Sequence, residues 1–149
     1  MSVTEHALHV VQVAARAASD KLGQKIVAYD VSETLAITEA FVLASAPNDR
    51  AVRAIVDEIE DQLREQMEEK PLRREGHRGG RWVLLDYADV VIHVQHSDER
   101  EFYALERLWR DCPEIELSDD IAPPTEVAER AADETPVAEL AGQDQDTVD

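Results

Sequence analysis

The chain has 149 residues, enough for one domain whose core needs no staple, plus a tail. Its formal net charge of −18 argues against nucleic-acid phosphates as the primary partner and suits a basic protein. Cys112 is the single cysteine, so no intrachain disulfide can form, and no apolar run approaches the ~20 residues that cross a bilayer. Glu5, His6 and His9 interrupt any leader-like pattern at the N-terminus, and a soluble, cytoplasmic chain is the expectation.

Val3, Ala7, Val10, Val11, Ala14, Ala18 and Leu22 recur at helical spacing and predict a first amphipathic helix. Thr4 or Ser2 caps it, and Gly23 stops it as a C′ glycine. Ile26–Val31 is a short strand, 32–38 a connector with room for one helical turn, and Ala40–Ala44 a second strand. Asn48 is the N-cap of the longest helix, whose buried stripe is Val52, Ile55, Val56, Ile59, Leu63 and Met67. Lys70-Pro71 ends it. Residues 72–81, with four arginines, three glycines and His77, read as a polar loop with a short edge strand near Leu72–Glu75.

The stretch 81–109 holds both tryptophans and two of the three tyrosines. Trp82–Leu85 and Val90–Val94 are apolar runs split by the turn Asp86-Tyr87-Ala88-Asp89, which predicts an antiparallel hairpin. Neither run alternates cleanly, so both strands are expected to be covered on both faces. Ser97 then caps a helix running to Cys112-Pro113, with Asp98 and Glu99 in its first turn. Phe102, Leu105, Leu108 and Trp109 face inward, and Glu99, Arg100, Glu101, Glu106 and Arg107 form a solvated charged face. Residues 119–149 carry ten acids against Arg130 alone, with no aromatic residue, so the division expected is an α/β domain over 1–117 and an acidic, disordered tail over 118–149, with a transient helix near Val127–Ala132. The fold class is α/β, a small mixed sheet flanked by helices, with the second long helix serving a parallel crossover.

Trp82, Asp86, Tyr87 and Asp89 cluster at the hairpin, where aromatic anchors beside carboxylates suit a basic, partly apolar partner. The plain alternative is that the aromatics are core and the acids shape the turn. His93 and His96, with Asp86 and Asp89 nearby, do not make a metal site, because neighbouring strand positions alternate faces. A nucleotidyltransferase-like enzyme using a metal and nucleotide is the rival reading. Against it stand the absence of a glycine-rich phosphate loop after the early strands and the spacing Asp86-x-x-Asp89 across a turn. Neither catalysis nor a cofactor is expected. Arg73, Arg74, Arg78 and Arg81 are the one basic cluster, large enough only for a local phosphate contact.

The segments RWVLLDYADVVIHVQHSDEREFYALERLW and DVSETLAITEAFVLASAPNDRAVRAIVDEIE resemble the ribosomal silencing factor family, RsfS or Iojap-like, over about residues 5–117. The resemblance implies a nucleotidyltransferase-like fold without the catalytic motif. It also implies a translational repressor that binds the large ribosomal subunit through its fourteenth L protein and blocks subunit joining when nutrients are scarce. By position, it assigns the contact to Trp82 and Asp86, with Tyr87 and Asp89 in the same motif. Members of the family can look dimeric, which leaves a homodimer open. Ala88 stands where many members have glycine, which matters if the turn needs a positive φ there. Ala46-Pro47-Asn48 likewise departs from a loop often rich in glycine and serine.

Overall fold

The computed structural model describes residues 3–121. Helix α1 (Glu5–Asp20) starts where the Thr4 hydroxyl accepts the Ala7 N–H. Its buried positions, from Ala7 to Ala18, are all alanine or valine, so it lies close on the sheet. The expected stop differs in detail. Leu22, 83% exposed, takes the left-handed φ of 64°, and the Gly23 N–H bonds back to the Ala18 carbonyl. Gly23 is needed for clearance, since a Cβ there would lie 2.9 Å from that carbonyl oxygen.

Strand β1 (Gln24–Asp30) pairs antiparallel with β2 (Ala40–Ala46). Helix α2 (Asp49–Met67) begins under the Asn48 cap, which accepts the Ala51 N–H at 2.8 Å, and buries Val52, Ile55, Val56, Ile59 and Leu63. The polar stretch after it is more regular than its composition suggests: β3 (Arg73–His77) pairs along its length with β4 (Trp82–Asp86), leaving only 78–81 as a connector. Strand β4 pairs antiparallel with β5 (Val90–His96), and β5 runs parallel to β2, as the crossover through α2 allows. Among the described residues the sheet is five-stranded, in the order β1-β2-β5-β4-β3, mixed, and flanked by helices.

Alternation sorts each strand between two layers. Ile26, Ala28, Val42, Ala44, Val83, Leu85, Ile92 and Val94 join α1 and α2 in the main core. Val27, Tyr29, Val31 and Leu43 form a smaller core on the other face, with Leu35, Phe41, Leu105, Trp109 and Cys112 against them. Central β5 is buried on both faces as expected, but β4 is not: Val83 and Leu85 are buried while Trp82, Leu84 and Asp86 stay half-exposed.

The last helix is the largest departure. Helix α3 spans only Ser97–Tyr103 and ends at Ala104, which takes a left-handed φ of 46°, before a 3-10 turn at Leu105–Arg107. The His96 side chain, not Ser97, caps it by accepting the Asp98 N–H, while the Ser97 hydroxyl bonds the Ala46 carbonyl. Phe102 (78% exposed) and Leu108 (69%) therefore point outward, and of the four expected inward residues only Leu105 and Trp109 pack on the sheet. The expected solvated face also fails at two positions, since Glu99 and Arg100 are buried. Arg100 donates to Glu106 and to the Lys25 carbonyl, contacts that draw the chain after Ala104 back over β1. At the C-terminal end, Ser118 and Asp120 bond Arg16 and Ile121 is buried in the main core, so 118–121 pack on the domain. The rest of the acidic segment, including Val127–Ala132, lies outside the described residues.

Two non-glycine residues at positive φ yield a prediction. Replacing Ala88 (φ 76°) or Leu22 (φ 64°) by glycine removes a left-handed strain without deleting a buried contact. Each variant should gain up to about 1 kcal/mol of stability by urea melt. A midpoint that falls in both variants would contradict the assigned backbone.

Candidate functional site

Register places three rows of side chains across the sheet face opposite α1 and α2. These are Arg73, Asp86, Val91 and Phe41; then Glu75, Leu84, His93 and Leu43; then His77, Trp82, Gln95 and Ser45. The segment after α3 packs on β1 and β2, leaving the β3–β4 half open. Trp82, Leu84 and, on β5, Val91 are half-buried at its centre, with Phe41 at the covered margin against Trp109, and Arg73, Glu75, His77 and Asp86 rim it. An apolar centre with a charged rim is the make-up of a protein-docking surface.

The aromatic rings join into one track. Phe102 meets Tyr103 edge-on at 4.9 Å, Tyr103 meets Trp82 at 4.9 Å, Trp82 meets His93 at 6.0 Å, His93 meets Phe41 at 5.5 Å and Phe41 meets Trp109 at 4.9 Å. His77 reaches Trp82 from β3, and the Arg78 guanidinium lies 5.9 Å over the Tyr103 ring. Five of the seven Phe, Trp and Tyr residues belong to it, in a chain with only 5% aromatics. Spaced rings of this kind are rigid anchors that lose little entropy on binding.

Trp82 is fixed within the track. Its indole Nε1–H donates to Nδ1 of His93 at 3.1 Å. His93 is only 7% exposed, and burial, with Arg100 and His77 nearby, pushes its pKa down to about 4. The imidazole is thus neutral near pH 7, with Nδ1 free to accept.

Of the residues singled out at the hairpin, Trp82 and Asp86 come together on the open face. Asp86 is held in place: its Oδ1 accepts the Ala88 N–H at 2.8 Å, and its Oδ2 meets Arg73 at 3.3 Å. Asp89 lies at the turn's end, where its carbonyl accepts the Glu39 and Ala40 N–H groups. The turn closes through the Asp89 N–H on the Tyr87 carbonyl, a three-residue γ-turn about Ala88, whose φ of 76° answers the question raised by its departure from glycine. Tyr87 does not join the surface. It is 4% exposed in the main core, its hydroxyl has no hydrogen-bond partner among the described residues, and burial, with Glu60 and Glu69 nearby, raises its pKa. Tyr87 continues the alternation of Val83 and Leu85 and so lies on the helix side of the sheet.

His93 and His96 lie on opposite faces by alternation, and among the described residues no group of three or more His, Cys, Asp or Glu is placed to hold a metal. The arginine cluster is neutralised from within: Arg73 pairs with Glu75 and Asp86, Arg74 with Glu60, Arg78 with Glu99, and Arg81 with Glu99 at 3.0 Å. It clamps the hairpin to α2 and α3, so the local phosphate contact is not supported. Leu84, Val91 and Tyr103 belong to the open face, with Phe41 at its covered margin, and sequence reasoning did not single them out. The alternation Trp82-x-Leu84-x-Asp86 was the available signal for the β4 contribution.

The buried imidazole makes stability depend on pH. Its folded pKa lies below the unfolded value of about 6.5, so the unfolded chain takes up a proton that the folded one refuses. Stability is full above about pH 6.5 and falls toward pH 4 with a slope approaching about 1.4 kcal/mol per pH unit. Urea melts between pH 6.5 and 5.5, above the carboxylate range, should show this slope in the wild type and a flatter one in His93→Asn. Parallel slopes would disprove it.

The chain matches the family model described as "Ribosomal silencing factor during starvation", RsfS, over residues 4–145, which reaches into the acidic segment. It is 39% identical over 108 residues to the ribosomal silencing factor RsfS of Halalkalibacterium halodurans, covering 72% of this chain and 92% of that protein. It is 39% identical over 109 residues to the RsfS of Bacillus subtilis, covering 72% and 91%. Its fold matches a crystal structure of a Chromobacterium violaceum protein with a TM-score of 0.66 at 28% identity, over 80% of this chain and 98% of that one. With a family model spanning nearly its full length and relatives matched almost end to end, this chain belongs to the RsfS family of ribosomal silencing factors.

Proposed function

We propose that this protein represses translation by binding the large ribosomal subunit through its fourteenth L protein and sterically blocking subunit joining when nutrients are scarce. The observation that carries the reading is the half-open, aromatic-centred sheet face bearing Trp82 and Asp86, in a chain of this family. Trp82 is the anchor, Asp86 supplies charge beside it, and Asp89 contributes from the turn. Tyr87 serves the core instead.

The charge supports this choice of partner. A protein of net charge −18 is steered toward a basic ribosomal protein while rRNA repels the rest of its surface. Screening at about 8 Å in physiological salt confines that guidance to the last stage of approach. Occupancy of the joining face is enough, so the activity is non-enzymatic. No helix among the described residues is long and apolar enough to cross a membrane, and action on the ribosome in the cytoplasm is part of the proposal. We place the end of the α/β domain near residue 121, because Ser118, Asp120 and Ile121 pack on it, with the acidic segment following, and leave a homodimer as the alternative use of the open face.

Sedimentation of purified subunits tests the reading. Saturating protein should lower the fraction that joins, and Trp82→Ala should weaken large-subunit binding by about 2 kcal/mol or more while still melting cooperatively. Undiminished joining at saturation would end the proposal.

A further inference from the structure

The open face presents Trp82 in an unusual way: its one polar atom is already occupied. The indole N–H points to Nδ1 of His93, a residue 7% exposed between β2 and β4. Tyr103 and His77 pack against the same indole, and Phe41 meets the His93 ring edge-on. Rings on several sides and a hydrogen bond from the buried side leave the indole little freedom to turn.

We propose that His93 is a positioning residue that holds the Trp82 indole with its N–H inward, so that a docking protein meets only the ring's carbon surface. The group seated there is then one that needs no hydrogen-bond acceptor role: a cationic side chain of a basic partner, lying over the ring. An exposed indole N–H would instead select a partner carbonyl or carboxylate, and a carboxylate partner would also meet the repulsion of a chain at −18. This inference rests on the large-subunit reading above for its partner, and on the free protein alone for the role of His93.

Two measurements separate those dependences. In the free protein, the Trp82 indole proton, assigned with Trp82→Phe, should exchange slowly with solvent and resonate downfield. His93→Leu, which fills the space but accepts nothing, should abolish both signatures, whereas His93→Asn, whose Oδ1 can replace Nδ1, should retain them. Against purified large subunits, His93→Leu should weaken binding about tenfold and His93→Asn should restore most of it. Trp82→Phe, which keeps a ring and lacks the N–H, should lose only about threefold where Trp82→Ala loses tenfold or more. A Trp82→Phe loss equal to that of Trp82→Ala would overturn the ring-only contact. A folded His93→Leu variant that binds as tightly as wild type would overturn the positioning role; should that variant not fold, rapid exchange of the wild-type indole proton would do so. If the wild-type protein ignores large subunits altogether, the proposed function fails while the exchange data still decide whether His93 holds the indole.

Discussion

Arg100 is 4% exposed, and a guanidinium at such a depth needs its charge paired and its donors engaged; here Nε and Nη2 are met, while Nη1 has no partner among the described residues. Glu106 and the Lys25 carbonyl supply those partners, and Lys25 lies where the β1–β2 register shifts, with a left-handed φ of 51°. An unbroken helix would carry Glu106 along its own axis, whereas the left-handed turn at Ala104 returns it to Arg100. That turn limits how much of the second sheet face is covered. Leu105 and Trp109 reach the β1–β2 half, Phe102 and Leu108 are released to solvent, and the β3–β4 half stays open.

The exposed half is kept in shape by polar contacts at its margins. Glu99 receives both Arg78 and Arg81, tying the β3–β4 connector to α3, while Arg74 reaches Glu60 on α2. Exposed ion pairs contribute little individually, but Glu99 is itself buried, and there an unpaired carboxylate is costly. An excess of acids thus coexists with a hairpin whose arginines are all engaged. The basic cluster serves folding, which leaves the net negative charge to govern long-range approach to other molecules.

The same economy shapes the hairpin tip. Asp86 uses one oxygen to fix the Ala88 N–H and the other to meet Arg73, so its carboxylate is oriented before any partner arrives. Trp82 is oriented by His93 in the same manner. Groups immobilised in advance lose less freedom on association, which favours a rigid face over an adaptable one.

Local chemistry in the sequence determined α1 and α2 with their caps at Thr4 and Asn48, the hairpin about Asp86–Asp89 and the parallel crossover, because caps, apolar stripes and turn residues act within a few positions of each other. The family motif likewise marked Trp82 and Asp86 from the residues alone. Tertiary structure decided the rest. The edge strand expected near Leu72–Glu75 ran on to His77 because β4 offered it a ladder, and the last helix broke because buried Arg100 required Glu106, whereas Tyr87 simply follows Val83 and Leu85 into the core by strand alternation. His93 could be read from the sequence only as a strand histidine. Its role as acceptor for Trp82 exists because β4 and β5 pair in one register, a long-range fact that no local window contains.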